Sequence, residues 1–275
     1  MRQSRLGLGE EQVNIANLRG IGREPLPPLI CLTGVDGCGK STQVELLAAR
    51  LGDHGLNVAT VWTGSRRVVS RPIVRFGKWR LQRHRHTPAS TALDHPGELK
   101  MNSEAFPDYL PESGAMFRRS RVLRRGWIDL SLLEHALEID ARVLPLLRQQ
   151  RLVICDRYLY RTVVNLAVTL DLSADAVSRL LRHPAFRLVP KPTRYILLDV
   201  PAEVALSRKE DIVSPEYVQR RIPIYHLLAK QAGMPVIDAT QPPDVIADLI
   251  WDIVEGPLRQ RGLLYPASAI AEPVG

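Results

Sequence analysis

Apolar positions along this chain alternate between short continuous runs and stretches with helical spacing. Residues 29–33 form an almost wholly apolar run and read as a strand buried on both faces. After a glycine-rich turn, Val44, Leu47, Ala48 and Leu51 recur at i, i+3, i+4 and i+7, which predicts a helix over 41–51 that Gly52 and Gly55 stop. A second strand is expected over 57–62, one helix after the first, as in a βαβ unit. Leu132, Leu133, Leu137, Val143, Leu146 and Leu147 predict a long helix over 128–150, and 151–155 a third strand. Helices follow over 160–170 and 173–181, the latter with Ser173 as N-cap, and His183-Pro184 closes it. A fourth strand over 195–200 leads into a helix over 203–208, with Pro201 at its start. Ser214-Pro215 opens a helix to about 232 that Pro223 should kink. A fifth strand over 234–238 and a last helix over 243–254 complete the pattern. This alternation predicts an α/β fold whose parallel sheet is covered by helices on both faces.

Two features interrupt the regularity. Residues 1–28 read as a poorly ordered lead-in closed by Pro25, Pro27 and Pro28, and 256–275 as a loose tail. From 63 to about 126 the periodicity weakens. Val69, Ile73, Phe76 and Trp79 allow an amphipathic helix there, but 87–111 carries four prolines and reads as a loop. A loop of that length inside a compact domain points to function or mobility.

Charge sharpens this picture. The chain carries a net +8 over 275 residues, but 65–126 alone holds 14 Lys or Arg against 5 Asp or Glu. That local excess of nine more than accounts for the whole surplus, so the basicity belongs to one segment. An Arg-rich stretch with Trp79 and His84 could track a phosphate backbone, yet it reads as a solvated basic segment rather than a nucleic-acid surface. No run approaches the length of a membrane span, and residues 1–20 lack the apolar core of a secretory signal. Three cysteines make no metal-binding spacing, and a reducing cytoplasmic setting is the simpler expectation.

The candidate chemistry begins at GVDGCGKST, residues 34–42, which matches G-x-x-x-x-G-K-[ST]. Gly34, Gly37, Cys38, Gly39, Lys40, Ser41 and Thr42 are expected to hold a nucleoside triphosphate. The loop amides and helix N-terminus would cradle phosphate, Lys40 would reach the terminal phosphates, and Ser41 would ligate Mg2+. Asp36 is an acid within that loop and needs a cation or hydroxyl partner. Its bland alternative is a simple turn residue. Asp156-Arg157 lies at the carboxyl end of a predicted strand, where open parallel sheets bind ligands. An Asp there can order Mg2+ water and an Arg can clamp a phosphate, or the two can form an internal ion pair.

Three motifs in this order, GVDGCGKSTQ at 34–43, VICDRY at 153–158 and LLDVPAEVALSRK at 197–209, resemble the thymidylate kinase family of P-loop nucleoside monophosphate kinases. IDAT at 237–240 is similar to the family's adenine-side turn, which puts Ala239 with the nucleotide. The resemblance covers roughly 29–62 and 128–255 and implies a five-stranded parallel sheet in the order 2-3-1-4-5. It implies ATP and Mg2+ as cofactors and a nucleoside monophosphate as acceptor. Asp36 would then face the acceptor sugar or the Mg2+ water shell. Arg157, with Tyr158, would sit on the acceptor side, and Trp127, Arg66 or Arg67 could replace family pocket residues that are not matched. Asp156 would act with Ser41 at the metal, and Arg208 would act as a lid arginine beside Lys40, Asp36 and Asp156 in catalysis. Arg220 matches a post-lid arginine, whereas Arg221 reads as surface charge. The implied domain spans 29–255 with a basic insertion over about 64–127, and a homodimer is one implied assembly.

The acceptor side departs from the family. Thr63-Gly64-Ser65-Arg66 stands where an Arg-Glu-Pro-Gly stretch is usual. Ser131 and His135 fall at the base-stacking Phe and base-contacting Arg, and Leu166 replaces a glutamine beside Asn165. A dTMP-kinase-like transfer is the leading expectation, with a P-loop kinase of a non-nucleotide or other phosphorylated acceptor, or a nucleotide-binding regulator or nucleic-acid-binding protein, as the alternatives.

Overall fold

The computed structural model describes residues 26–64, 120–208 and 215–264. The lead-in before residue 26, most of the basic insertion including Arg66, and the end of the tail lie outside the described residues. Five parallel strands form one sheet: β1 (Leu29–Thr33), β2 (Val58–Trp62), β3 (Leu152–Asp156), β4 (Arg194–Asp199) and β5 (Val236–Asp238). Their order is β2-β3-β1-β4-β5, as the resemblance implies. This is the P-loop NTPase arrangement, with β1 at the centre. β1 and β3 are buried along their whole lengths because each has neighbours on both edges and helices over both faces. β2 lies at an edge and keeps Trp62 half exposed.

The helices are α1 (Lys40–Asp53), α2 (Arg121–Arg148), α3 (Leu159–Leu170), α4 (Ala174–Leu180), α5 (Ala185–Leu188), α6 (Ala202–Arg208), α7 (Pro215–Gln219), α8 (Ile222–Ala232) and α9 (Pro243–Gln260). The longest, α2, begins seven residues before the expected 128. Ser120 caps it, its hydroxyl accepting the Leu123 N–H at 3.4 Å. Its inward stripe runs through Trp127, Ile128, Ser131, Leu132, His135, Ala136, Ile139, Val143 and Leu147. Leu133 and Leu137, expected in the core, face outward. Ser131 and His135 take inner positions instead, and the His135 ring finds partners there in Thr63 and Thr162.

Three other boundaries differ from expectation, each for a backbone reason. The kinked helix expected over 215–232 is two helices, α7 and α8, with Pro223 in the first turn of α8, where its missing N–H costs nothing. His183-Pro184 follows the end of α4 as expected, but it also starts the short α5, which the spacing did not predict. The His183 Nδ1 accepts the Ala185 N–H at 3.1 Å, and its Nε2 meets Asp129 at 3.0 Å. The expected tail from 256 is helical to Gln260. Pro257 cannot bond the Ile253 carbonyl, and Arg194 Nε donates to that oxygen instead at 3.3 Å. Leu258 and Leu264 beyond it are buried, so the folded unit extends past residue 255.

Leu258→Ala should therefore lower the unfolding free energy by about 2–5 kcal/mol in urea denaturation, the range for a buried leucine. A loose tail would give a change of about 0.5 kcal/mol or less.

Candidate active site

A parallel sheet gathers all its strand carboxyl ends along one edge, and the register Leu32↔Asp156 aligns the ends of β1 and β3. The loop after β1 is tight. A Cβ on Gly34 would lie 2.3 Å from the Leu198 carbonyl oxygen, and one on Gly37 would lie 2.3 Å from that of Ala205. Gly39 completes the turn in the left-handed region and caps α1. Lys40 is the first residue of α1, and its ammonium curls back onto the loop. It donates to the carbonyls of Val35 at 2.7 Å and Gly34 at 3.2 Å, with Cys38 Sγ at 3.4 Å. The Cys38 side chain is buried, so that residue offers a phosphate its backbone alone. Burial pushes its thiol pKa up, against the pull of Lys40. Ser41 and Thr42 are exposed at the helix start.

The three charged residues singled out around this loop meet. Arg157 Nη2 donates to Asp36 Oδ1, and Arg157 Nε lies 3.8 Å from Asp156 Oδ1. Ser41 Oγ donates to Asp156 Oδ2 at 3.2 Å. Burial works against the Arg157 charge, but Asp36 and Asp156 outweigh it and hold its pKa above the ordinary value. The backbone of Arg157 has φ 73°, a conformation L-residues rarely adopt. It is held on both sides: its N–H donates to Leu32 O at 2.9 Å, and its carbonyl accepts from Thr63 Oγ1 at 2.6 Å. A left-handed residue fixed this firmly beside a phosphate loop is the kind of strain found at functional sites.

Asp156 also bears on the metal. Its Oδ1 is buried without a hydrogen-bond partner. An orphaned carboxylate oxygen beside a serine hydroxyl suits a hard cation, which takes oxygen ligands. Among the described residues no three His, Cys, Asp or Glu side chains form a cage of their own. Such an ion would therefore lean on phosphates and water.

Other singled-out residues lie apart from this cluster. Tyr158 is buried, and its hydroxyl donates to Pro190 O at 2.6 Å, so it braces the core. Arg208 donates to the carbonyls of Ala239 at 2.6 Å and Thr240 at 3.2 Å. It thus joins the turn after β5, on the other side of β1 from Arg157. Arg66 is outside the described residues.

Arg221 is a correction. It is buried, with its guanidinium 3.5 Å over the Tyr217 ring, and donates to Tyr217 O at 2.9 Å and Asn165 Oδ1 at 3.2 Å. Arg220 is the outward one, 3.2 Å from Asp171. The break between α7 and α8 rotates the helical face, which one uninterrupted helix would not do. Tyr217, part of a Pro-Glu-Tyr segment, was given no role from the sequence, although its hydroxyl donates to Asp36 Oδ2 at 3.2 Å. Only the four-residue spacing of Tyr217 and Arg221 hinted at a shared face. On the acceptor side, His135 is fully buried, its Nδ1 2.6 Å from Thr162 Oγ1 and its Nε2 3.3 Å from Thr63 O. Nε2 must donate to that carbonyl, and the Thr162 hydroxyl, both donor and acceptor, satisfies Nδ1.

The family model that matches is thymidylate kinase, over residues 127–250. Over that stretch the chain is similar to the thymidylate kinases. The thymidylate kinase of Thermomicrobium roseum is 28% identical over 237 residues, covering 82% of this chain and 93% of that one. A probable thymidylate kinase of Archaeoglobus fulgidus is 28% identical over 235 residues, covering 82% and 94%. The thymidylate kinase of a Bradyrhizobium species is 27% identical over 271 residues, covering 94% and 99%. In this chain the phosphate loop, the β3 terminus and the β5 turn stand together at one edge of the sheet.

Gly37→Ala tests the loop geometry. The added methyl meets the Ala205 carbonyl at a residue with φ 87°, so the loop must open. ATP affinity by calorimetry should fall about 10-fold or more, as loss of a well-aimed phosphate donor set implies.

Proposed function

We propose that this protein transfers the γ-phosphoryl group of ATP to dTMP, giving dTDP and ADP. The observation that carries the reading is the meeting of the phosphate loop with Asp36, Asp156 and Arg157 at the aligned ends of β1 and β3. Its support from comparison is that relatives covering most of this chain are named thymidylate kinases. The three cysteines are all unpaired and buried, which agrees with a reducing cytoplasmic setting.

Phosphoryl transfer asks for positioning and charge neutralisation more than for covalent chemistry. The Lys40 ammonium now rests on two neutral carbonyls. Phosphate oxygens are stronger, charged acceptors, so bound ATP draws it off the loop. The loop amides and the start of α1 hold the remaining phosphate oxygens. Ser41 and Asp156 would hold Mg2+, which supplies charge neutralisation across the donor phosphates. Arg157 spends a donor on Asp36 and keeps others in the same fork for the acceptor phosphate. Asp36, acceptor-only when ionised, can take a hydrogen bond from the acceptor sugar. Arg208 and Ala239 would border the adenine, and Arg208 in that place steadies the donor base.

A coupled assay of ADP release across a panel of nucleoside monophosphates tests this. ADP release should depend on dTMP and on Mg2+. Lys40→Ala should lower kcat by about 100-fold or more, the scale of losing one transition-state donor. ATP that binds while no monophosphate yields ADP would overturn the proposal.

A further inference from the structure

Asp36 is held from two sides. Arg157 is shared between Asp36, Asp156 and, under the reading above, the acceptor phosphate. Tyr217 reaches Asp36 from a different helix. Its hydroxyl donates to Asp36 Oδ2 at 3.2 Å while its ring is buried. The ring is fixed in turn. Arg221, four residues on, lies 3.5 Å over its face and is itself tied to Tyr217 O and Asn165 Oδ1. Asn165 belongs to α3, so the chain Asn165–Arg221–Tyr217–Asp36 links α3, the α7–α8 turn and the phosphate loop through side chains.

We infer that Tyr217 is a positioning residue for the acceptor: its hydroxyl fixes the rotamer of Asp36 when Arg157 turns to the acceptor phosphate. This rests on the dTMP reading. A carboxylate in a loop can rotate about its side-chain torsions, and Arg157 alone can follow a phosphate and carry Asp36 with it. A second donor from a different helix removes that freedom. The Asp36 carboxylate then keeps its orientation toward the sugar instead of following the arginine. Burial pushes the Tyr217 phenol up to about 12, with Arg221 opposing and Asp36 adding, so the hydroxyl keeps its proton at neutral pH and remains a donor. A purely structural tyrosine would need the ring and not the hydroxyl.

The test compares wild type, Tyr217→Phe, Asp36→Asn and the double variant, reading dTMP and ATP affinity by calorimetry and Tm by thermal denaturation. Phenylalanine keeps the ring under Arg221. Tyr217→Phe should weaken dTMP about 5- to 20-fold, the scale of one hydrogen bond to a charged group, and leave ATP within about twofold. In the Asp36→Asn background the same change should move dTMP affinity by no more than about twofold, because the residue acts through Asp36. Equal loss of both nucleotides, or an undiminished effect in the Asp36→Asn background, overturns the inference. Wild type that binds ATP but not dTMP refutes the dTMP reading instead. The Tm cycle then still decides the contact: non-additive shifts uphold the Tyr217–Asp36 bond, and additive ones overturn it.

Discussion

The parallel pairing of β1 with β3 is the constraint on which the rest of the structure depends. Its register places Leu32 opposite Asp156, and the ladder continues one residue further through the Arg157 N–H on the Leu32 carbonyl. Two segments more than a hundred residues apart are thereby delivered to one point. A slip by one residue would turn Asp156 to the other face of the sheet and separate it from Ser41. The left-handed backbone of Arg157 follows from the same pairing. The chain must leave β3 sharply to put the guanidinium over the phosphate loop, and Leu32 and Thr63 hold it there.

The charges gathered at this edge neutralise each other in the absence of substrates. Asp36 and Asp156 face Arg157, and Lys40 rests on loop carbonyls. Buried ions without such partners would be costly, and each partner here can be exchanged for a phosphate oxygen or a cation. A second group, Arg208 with the Ala239–Thr240 turn, stands on the β4–β5 side. Asp238 shapes that turn by accepting from the Thr240 N–H and hydroxyl, and these bonds hold its carboxyl below the usual range. The phosphate loop lies between the two groups, and its glycines allow the close approach of Leu198 and Ala205.

The donor half was legible in the residues. Gly34, Gly39, Lys40 and Ser41 sit at fixed spacing because one continuous turn of backbone must wrap phosphate, and local geometry of that kind is written in consecutive residues. The acceptor half was legible only in part. Asp156-Arg157 stood out as a charged pair ending an apolar run. Arg221 was read as surface charge, and Tyr217 was given no role. Their roles depend on a helix break at 220–221 that a pattern of apolar spacing smooths across. The inward placement of His135 and Ser131 was likewise hidden. On α2 they occupy inward positions that periodicity assigns to leucines, and only the partners across the groove, Thr162 and Thr63, make a buried histidine affordable.

The sequence by itself determined the alternation of strands and helices, the phosphate loop and the identity of the charged residues that end β1 and β3. Those features are set by short-range spacing and by steric rules that act within a few residues. Tertiary structure alone decided that Asp36 is shared by Arg157 and Tyr217, that Arg208 turns to Ala239, and that the final helix runs through Pro257 with Arg194 covering the freed carbonyl. Each of these is a contact between residues far apart in the chain. Its existence depends on angles between elements, and those angles come from packing rather than from the pattern along any one element.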